Sequence, residues 1–479
     1  MNTPDNVELT RMSATELAGL IRARATSPVE VVEAYLNRIE KINPTLNAVV
    51  TLAPDALERA REAEAAAVRG EIFGSLHGVP LTVKDTIDVR GLRTTCGSRV
   101  RAEYVAEEDA PAVARLRAAG AVILGKTNCP EFALDYTSEN PVFGRTNNPH
   151  DLERTPGGSS GGCAAAVASC MSAGSLGSDL AGSIRIPAHF CGVAGLKPTA
   201  GRVPGGGHTP PMSGLHTLGA TLGPLARTIE DLRLFYSVLS GETVTADVKA
   251  DARGMLKGMR VAFYTDDGAA SMSLETRAVL ENAARALGDA GLDVVEEVPP
   301  GVVEATGLWL SLFEYATQRL VRRAYAGREA EAGRAARVIL ERAGRWGEPT
   351  LERVLEAWEE RDRVREVLLR WMERTPLFVA PVGAVPAFRH EEFGRVEVEG
   401  RSVPTFRAFA HAHAANVFDL PAACVPAGHT AAGLPVGVQI VGRPHEEWRV
   451  LVAARVIEDA LGGWQPPPET LSNNRGHPL

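Results

Sequence analysis

Twice along this chain a helical stretch ends at a glycine and runs straight into a short apolar stretch. Residues 111–119 are followed by Gly120 and the apolar 121–124, and residues 274–290 by Gly291 and the apolar 292–295. A glycine lets the backbone turn out of a helix at positive φ, and a strand without polar alternation is one buried on both faces. Further strands are expected at 79–83, 259–264, 377–380 and 436–441, and a last helix at 446–461. Strands alternating with helices define an α/β layer architecture. With 479 residues the size prior is about three domains. No internal repeat or low-complexity linker divides the chain, so one large domain is expected.

The two ends and one internal stretch read differently. Ser13 and the pair Ser27-Pro28 are helix-start signals. Val32, Tyr35, Leu36 and Ile39 then share one helical face, and residues 53–69 read as a mostly solvated helix. Residues 1–70 are therefore expected as a helical segment packed on a main domain spanning 71–465. Within it, about 301–375 is an Arg/Glu-rich helical insert carrying Trp309, Trp346, Trp358 and Trp371. Its charge reads as a solvated face, and the insert as one wall of the domain. Residues 466–479 are a polar, proline-containing tail.

Charge and cysteine usage exclude several function classes. The net charge of −8 argues against a nucleic-acid surface, and no apolar run approaches the roughly 18 residues that cross a bilayer. The first 27 residues contain Asp5, Glu8 and Glu16 and lack the apolar core of a signal peptide. The six cysteines include no CxxC pair, which fits buried free thiols in a reducing compartment. His, Cys and Asp show no metal-ligand spacing. A cytoplasmic chain needing neither metal nor organic cofactor is expected.

Residues 141–215 are dense in Gly, Ser and Pro, too long for an idle loop and therefore a candidate active-site scaffold. Its centre reads Pro156-Gly157-Gly158-Ser159-Ser160-Gly161-Gly162, followed by Gly177-Ser178-Asp179-Leu180-Ala181-Gly182-Ser183-Ile184-Arg185. A phosphate-binding loop would need a lysine after its last glycine, and none follows Gly162. A nucleophile elbow would need a strand feeding the turn, whereas 151–156 is polar and ends in proline. Taken alone, the Gly/Ser run reads as tight turns and caps.

Three separated elements together change that reading. Lys84 after the run 78–83, Ser159 in the Gly-Gly-Ser-Ser-Gly-Gly run, and Ser183, 24 residues further on, resemble the amidase signature family. The resemblance extends over about 12–462, and it implies an α/β fold with a central mixed β-sheet flanked by helices. It includes Leu76-His77-Gly78-Val79-Pro80, Gly125-Lys126-Thr127-Asn128, Gly223-Pro224-Leu225-Ala226-Arg227-Thr228 and Gly433-Leu434-Pro435-Val436-Gly437. It implies Ser183 as nucleophile, Ser159 as a bridging serine behind a cis peptide at Gly158–Ser159, and Lys84 as base. It also implies backbone amides of Leu180, Ala181, Gly182 and Ser183 as donors to an oxyanion. Ser160, Ser178, Asp179 and Arg185 match supporting positions. Ala181 stands where the family commonly has glycine, which keeps the amide but restricts the backbone.

The chemistry stands beside the resemblance. A serine hydroxyl attacks a carbonyl only when a neighbouring base takes its proton. Lysine serves when neutral, and burial at the end of an apolar strand shifts it that way. The implied reaction is hydrolysis of a carboxylic acid amide to acid and ammonia or amine through an acyl-serine, with esters as further substrates. Trp309, Phe313 and Tyr315, with the loop after Tyr136 and residues 205–215, are expected to line the pocket and favour an apolar or aryl acyl group. Expected partners are a small-molecule amide and, at most, a second copy in a homodimer, with no nucleic acid and no membrane. The main alternative is the glutaminase subunit of a tRNA-dependent amidotransferase. It would want an acidic residue shortly before Asn416, and residues 405–415 contain none. A scaffold protein on the same fold is the other alternative, disfavoured by the intact Lys84, Ser159 and Ser183. His77, His189, His208, His411 and His413 read as surface or packing residues, and Lys126 and Lys197 as packing or tethering residues.

Overall fold

Two serines begin the chain's first well-formed helices. In the computed structural model, which describes residues 6–242, 254–266, 271–343 and 350–468, Ser13 caps Ala14–Arg22 and Ser27 caps Pro28–Leu46. Both form reciprocal boxes, with Glu16 and Glu30 respectively. Such a cap contributes about 1 kcal/mol. Helix Ala56–Val68 differs from the solvated helix expected there. Ala56, Ala60, Ala63, Ala66 and Ala67 are buried, because a face of methyl groups lets the helix lie close against Pro28–Leu46 and the neighbouring sheet. Trp346 and residues 469–479 lie outside the described residues.

The centre is an eleven-stranded mixed sheet. Its strands are β1 (Val49–Leu52), β2 (Pro80–Lys84), β3 (Val122–Thr127), β4 (Gly174–Asp179), β5 (Ala194–Lys197), β6 (Thr221–Ala226), β7 (Arg260–Phe263), β8 (Asp293–Glu296), β9 (Leu377–Pro381), β10 (Ala422–His429) and β11 (Pro435–Gly442). They lie in the order β1-β3-β2-β4-β6-β5-β10-β11-β9-β7-β8. β2 runs parallel to both β3 and β4, while β4–β6, β5–β6 and β10–β11 are antiparallel. The α/β architecture expected from the alternation, with the mixed central sheet that the resemblance implies, is therefore present. The helix–glycine–strand units appear as Pro111–Ala118 into β3 and Leu274–Asp289 into β8, with Gly120 and Gly291 at positive φ.

Strands β4, β5, β6 and β10 escape an apolar-run reading because small residues and prolines interrupt their larger apolar side chains. They are buried throughout or nearly so. Small side chains there let a helix approach the sheet and neighbouring strands lie close: a Cβ on Gly174 would stand 2.2 Å from the Phe235 ring of helix Ile229–Ser240, and one on Gly223 2.1 Å from the Leu196 carbonyl of β5. All six cysteines are free and buried. Among the described residues no helix is long and apolar enough to cross a membrane.

Candidate active site

The parallel pairing of β2 with β4 sets the site. Val83 lies opposite Leu176, so Lys84 at the end of β2 comes beside the end of β4, where Ser178 and Asp179 stand. Lys84 is fully buried, with Nζ 2.6 Å from Ser159 Oγ and 2.9 Å from Ser178 Oγ. Burial lowers its pKa from the ordinary lysine value, because an ammonium removed from water loses its solvation.

Ser159 enters on the loop before helix Gly161–Ala168, behind a cis peptide at Gly158–Ser159. The glycines here are demanded by space. A Cβ on Gly158 would lie 2.2 Å from the Thr137 carbonyl and one on Gly162 2.5 Å from the Asn128 backbone. Ser183 lies on the turn between β4 and helix Arg185–Cys191. The Ser160 amide donates to the Ser183 carbonyl at 3.1 Å, and the Ser160 hydroxyl donates to the Ser178 carbonyl at 3.2 Å. The strand and the two loops that carry the serines are thus stitched together by main-chain groups.

Asp179 and Arg185 hold the Ser183 turn from below. Asp179 accepts the amides of Gly182 at 2.8 Å and Ile184 at 3.1 Å. Arg185 donates twice to Asp179, at 3.1 and 3.0 Å, and further to Asn416 Oδ1 at 2.7 Å and Gln439 Oε1 at 2.6 Å. Burial opposes the charge on Asp179, but the Arg185 guanidinium overcomes it and holds the carboxyl well below its usual range. One expectation changes at this turn. The Gly182 N–H, expected to face an oxyanion, is engaged by Asp179, and a single N–H has one direction. Leu180, Ala181 and Ser183 remain beside the cavity.

That cavity has a volume of about 690 Å³. Ser159, Ser183 and His208 form part of its floor, and Tyr136, Trp309 and Phe406 part of its sides. Trp309 Nε1 donates to the Leu180 carbonyl at 2.8 Å, tying the helical insert to the Ser183 turn. Tyr315 lines the cavity as expected, but Phe313 does not. It is fully buried behind Trp309, its ring 5.7 Å from the indole. Phe406, which sequence reasoning did not place here, takes part instead.

Of the five histidines read as surface or packing residues, four take packing positions. His77, His189, His411 and His413 are buried, and His189 bridges the Val385 carbonyl and the Gly437 amide. His208 is half-buried on the cavity, with Nε2 3.0 Å from Ser178 Oγ. Sequence reasoning missed this placement, and its signal in the chain is faint: three glycines immediately precede His208. Lys126 lies 3.4 Å from Asp85, and Lys197 donates to the Pro198 carbonyl at 2.8 Å, both as tethers. Among the described residues no cluster of His, Cys, Asp or Glu could hold a metal ion.

Comparison with known proteins gives one consistent picture. The family model described as Amidase matches residues 30–451. A glutamyl-tRNA(Gln) amidotransferase subunit from Carboxydothermus hydrogenoformans is 34% identical over 488 residues, covering 94% of this chain and 98% of that protein. An acylamidase of Rhodococcus erythropolis is 34% identical over 482 residues, covering 96% and 98%. The structure of 6-aminohexanoate cyclic dimer hydrolase complexed with substrate superposes with a TM-score of 0.85 at 30% identity, covering 97% of this chain and all of that one.

Proposed function

The chain belongs to the amidase family and is an enzyme of amide-bond chemistry, and from that premise we propose that it hydrolyses small carboxylic acid amides through an acyl-serine at Ser183. Lys84 is the base, Ser159 the relay, and an apolar or aryl acyl group the preferred substrate half. The observation that carries this reading is the 2.6 Å contact between the fully buried Lys84 amine and Ser159 Oγ at the foot of the cavity.

Neutral Lys84 takes the Ser159 hydroxyl proton, and Ser159 takes that of Ser183. The Ser183 Oγ–C bond forms and the carbonyl becomes an oxyanion that the turn amides stabilise; one such donor is typically worth about 2.7–4 kcal/mol. The proton returns along the same path to the leaving nitrogen, the C–N bond breaks, and ammonia or amine departs. Water then gives its proton to the relay, attacks the acyl-serine, and the acid leaves as Ser183 regains its hydrogen. Asp179, Arg185, Ser160 and Ser178 hold these groups in place.

The likeness to an amidotransferase component favours a second reading, a glutaminase that works with partner chains. Against it, residues 405–415 carry no carboxylate to meet an amino group, and two of their first members, Thr405 and Phe406, line the cavity. Ammonia release by the purified chain separates the two readings. Release from an aryl carboxamide with no partner present is expected. Turnover of glutamine alone, and only with a partner chain, would overturn the proposal.

A further inference from the structure

The segment that follows Lys84 runs back along the segment that carries His208. Ile87 and His208 form an antiparallel bridge, the Thr209 amide donates to the Thr86 carbonyl at 2.8 Å, and the Asp88 amide donates to the Gly207 carbonyl at 2.8 Å. His208 is thereby held against the end of β2 by main-chain bonds on both sides. Its ring makes two contacts: Nδ1 lies 2.6 Å from the Pro210 carbonyl, and Nε2 lies 3.0 Å from Ser178 Oγ.

These contacts fix the direction of every proton between the ring and Lys84. A backbone carbonyl only accepts, so Nδ1 carries the hydrogen. Burial, the largest influence on it, depresses the imidazole pKa below its ordinary value, so the ring is neutral at neutral pH and Nε2 presents a lone pair. Ser178 must then donate its hydroxyl hydrogen to Nε2, leaving its oxygen to accept from Lys84 Nζ at 2.9 Å. With one N–H committed to Ser178, the amine turns its lone pair to the remaining close hydroxyl, Ser159, at 2.6 Å. Without an acceptor at Nε2, Ser178 can rotate and donate to Lys84, competing with Ser159 for the one lone pair the reaction uses.

We propose that His208 is a positioning residue that, through Ser178, aims the Lys84 lone pair at Ser159. The inference rests on Lys84 acting as the base in the proposed hydrolysis. His208 exchanges no proton with substrate. What it supplies is an acceptor at one point, which an amide oxygen of suitable reach can replace.

The test compares His208→Gln, His208→Asn and His208→Leu, read by the rate of Ser183 modification by a fluorophosphonate and by kcat and KM on an aryl carboxamide. Gln reaches the Nε2 position with an oxygen; Asn reaches only the Nδ1 position, and Leu offers no acceptor. Glutamine is expected to retain rates within a few-fold of wild type. Asparagine and leucine should lose about 10²-fold, the scale on which misaligned catalytic groups fail, in kcat and labelling rate with KM little changed. If leucine does not yield folded protein, the glutamine–asparagine pair carries the comparison. Equal rates in all three variants, or equal losses in all three, overturn the role of His208. Lys84→Ala separates this failure from that of the underlying reading: near wild-type labelling in that variant overturns Lys84 as base, whereas its loss alongside equal His208 variants overturns the positioning role alone.

Discussion

The floor and the wall of the cavity are built on opposite principles. The floor, from the Gly157 loop to the Ser183 turn, is almost entirely buried and is held by main-chain hydrogen bonds, glycines without room for a Cβ, and the Asp179–Arg185 pair. The wall, from Ala305 to the end of helix Arg334–Ala343, buries one side and leaves arginines and glutamates in water. Part of it packs through a small separate cluster, with Phe132, Val321, Tyr325 and Ile339. A fixed floor suits reacting groups that lose their value when displaced by an ångström. A wall whose later helices pack in a small cluster of their own can change its side chains there without disturbing them. The proposed hydrolysis thus places chemistry on the floor and selectivity on the wall.

The hardest way to break this division is at Ser183. Ser183→Ala should reduce amide turnover by roughly 10⁴-fold or more, with the thermal midpoint little changed, since the lost hydroxyl makes no hydrogen bond that holds the turn. Measured turnover near wild type would remove Ser183 as nucleophile. Next in size is stability beneath the floor. Arg185→Met leaves the buried Asp179 carboxylate without its partner, and breaking a buried pair in this way costs about 3–5 kcal/mol. Denaturant unfolding should reveal that loss. An unchanged midpoint would mean that the turn does not depend on the pair.

The third expectation concerns protons. Lys84 is held below the ordinary lysine range by burial, and only its neutral form accepts a proton. Below its depressed value kcat/KM should therefore fall about tenfold per pH unit. His208, held below the ordinary histidine value by burial, adds no limb above neutrality. The stability sign follows from linkage. Between the folded Lys84 value and about 10.4 the unfolded chain binds more protons, so this group makes stability rise with pH in that window. A kcat/KM profile that goes on rising up to about pH 10.4, the ordinary lysine value, would contradict a lysine base held below it.

How much of this was legible in the chain depended on what kind of signal each part leaves. Apolar runs and glycine stops marked β2, β3, β9 and β11, and the serine caps marked the first helices, because those signals are local. β4 was invisible as a strand, since Gly174-Ser175-Leu176-Gly177-Ser178-Asp179 has neither an apolar run nor alternation; its burial comes from close packing of small residues. The three-part pattern of Lys84, Ser159 and Ser183 was legible through resemblance, and the structure brings Lys84 and Ser159 into contact. His208 was not, because its link to Ser178 depends on two distant segments, at Ile87 and His208, that pair only once the sheet has formed. Phe313 was misplaced because only composition carried that expectation, and composition does not tell which aromatic of a segment faces a cavity; in the fold its ring packs beside Trp309 and His216 while Tyr315 lines the cavity.

The smallest expected effect tests whether floor and wall are separable at the point where Trp309 joins them. Trp309 belongs to the wall, packs against Phe406 with ring centres 4.9 Å apart, and donates to the Leu180 carbonyl on the Ser183 turn. Trp309→Leu removes the donor and the flat ring together. Leu180 is only partly buried, so water entering from the cavity can take over at its carbonyl, and the stability cost should be about 1 kcal/mol. If the wall selects and the floor reacts, kcat/KM for an aryl carboxamide should fall about 10-fold relative to acetamide, within the roughly 10–200-fold that a hydrophobic pocket contributes to discrimination. The acetamide rate itself should stay within a few-fold of wild type. An equal fall for both substrates would show that the Trp309–Leu180 bond holds the oxyanion side of the turn, which would move Trp309 from the wall to the floor.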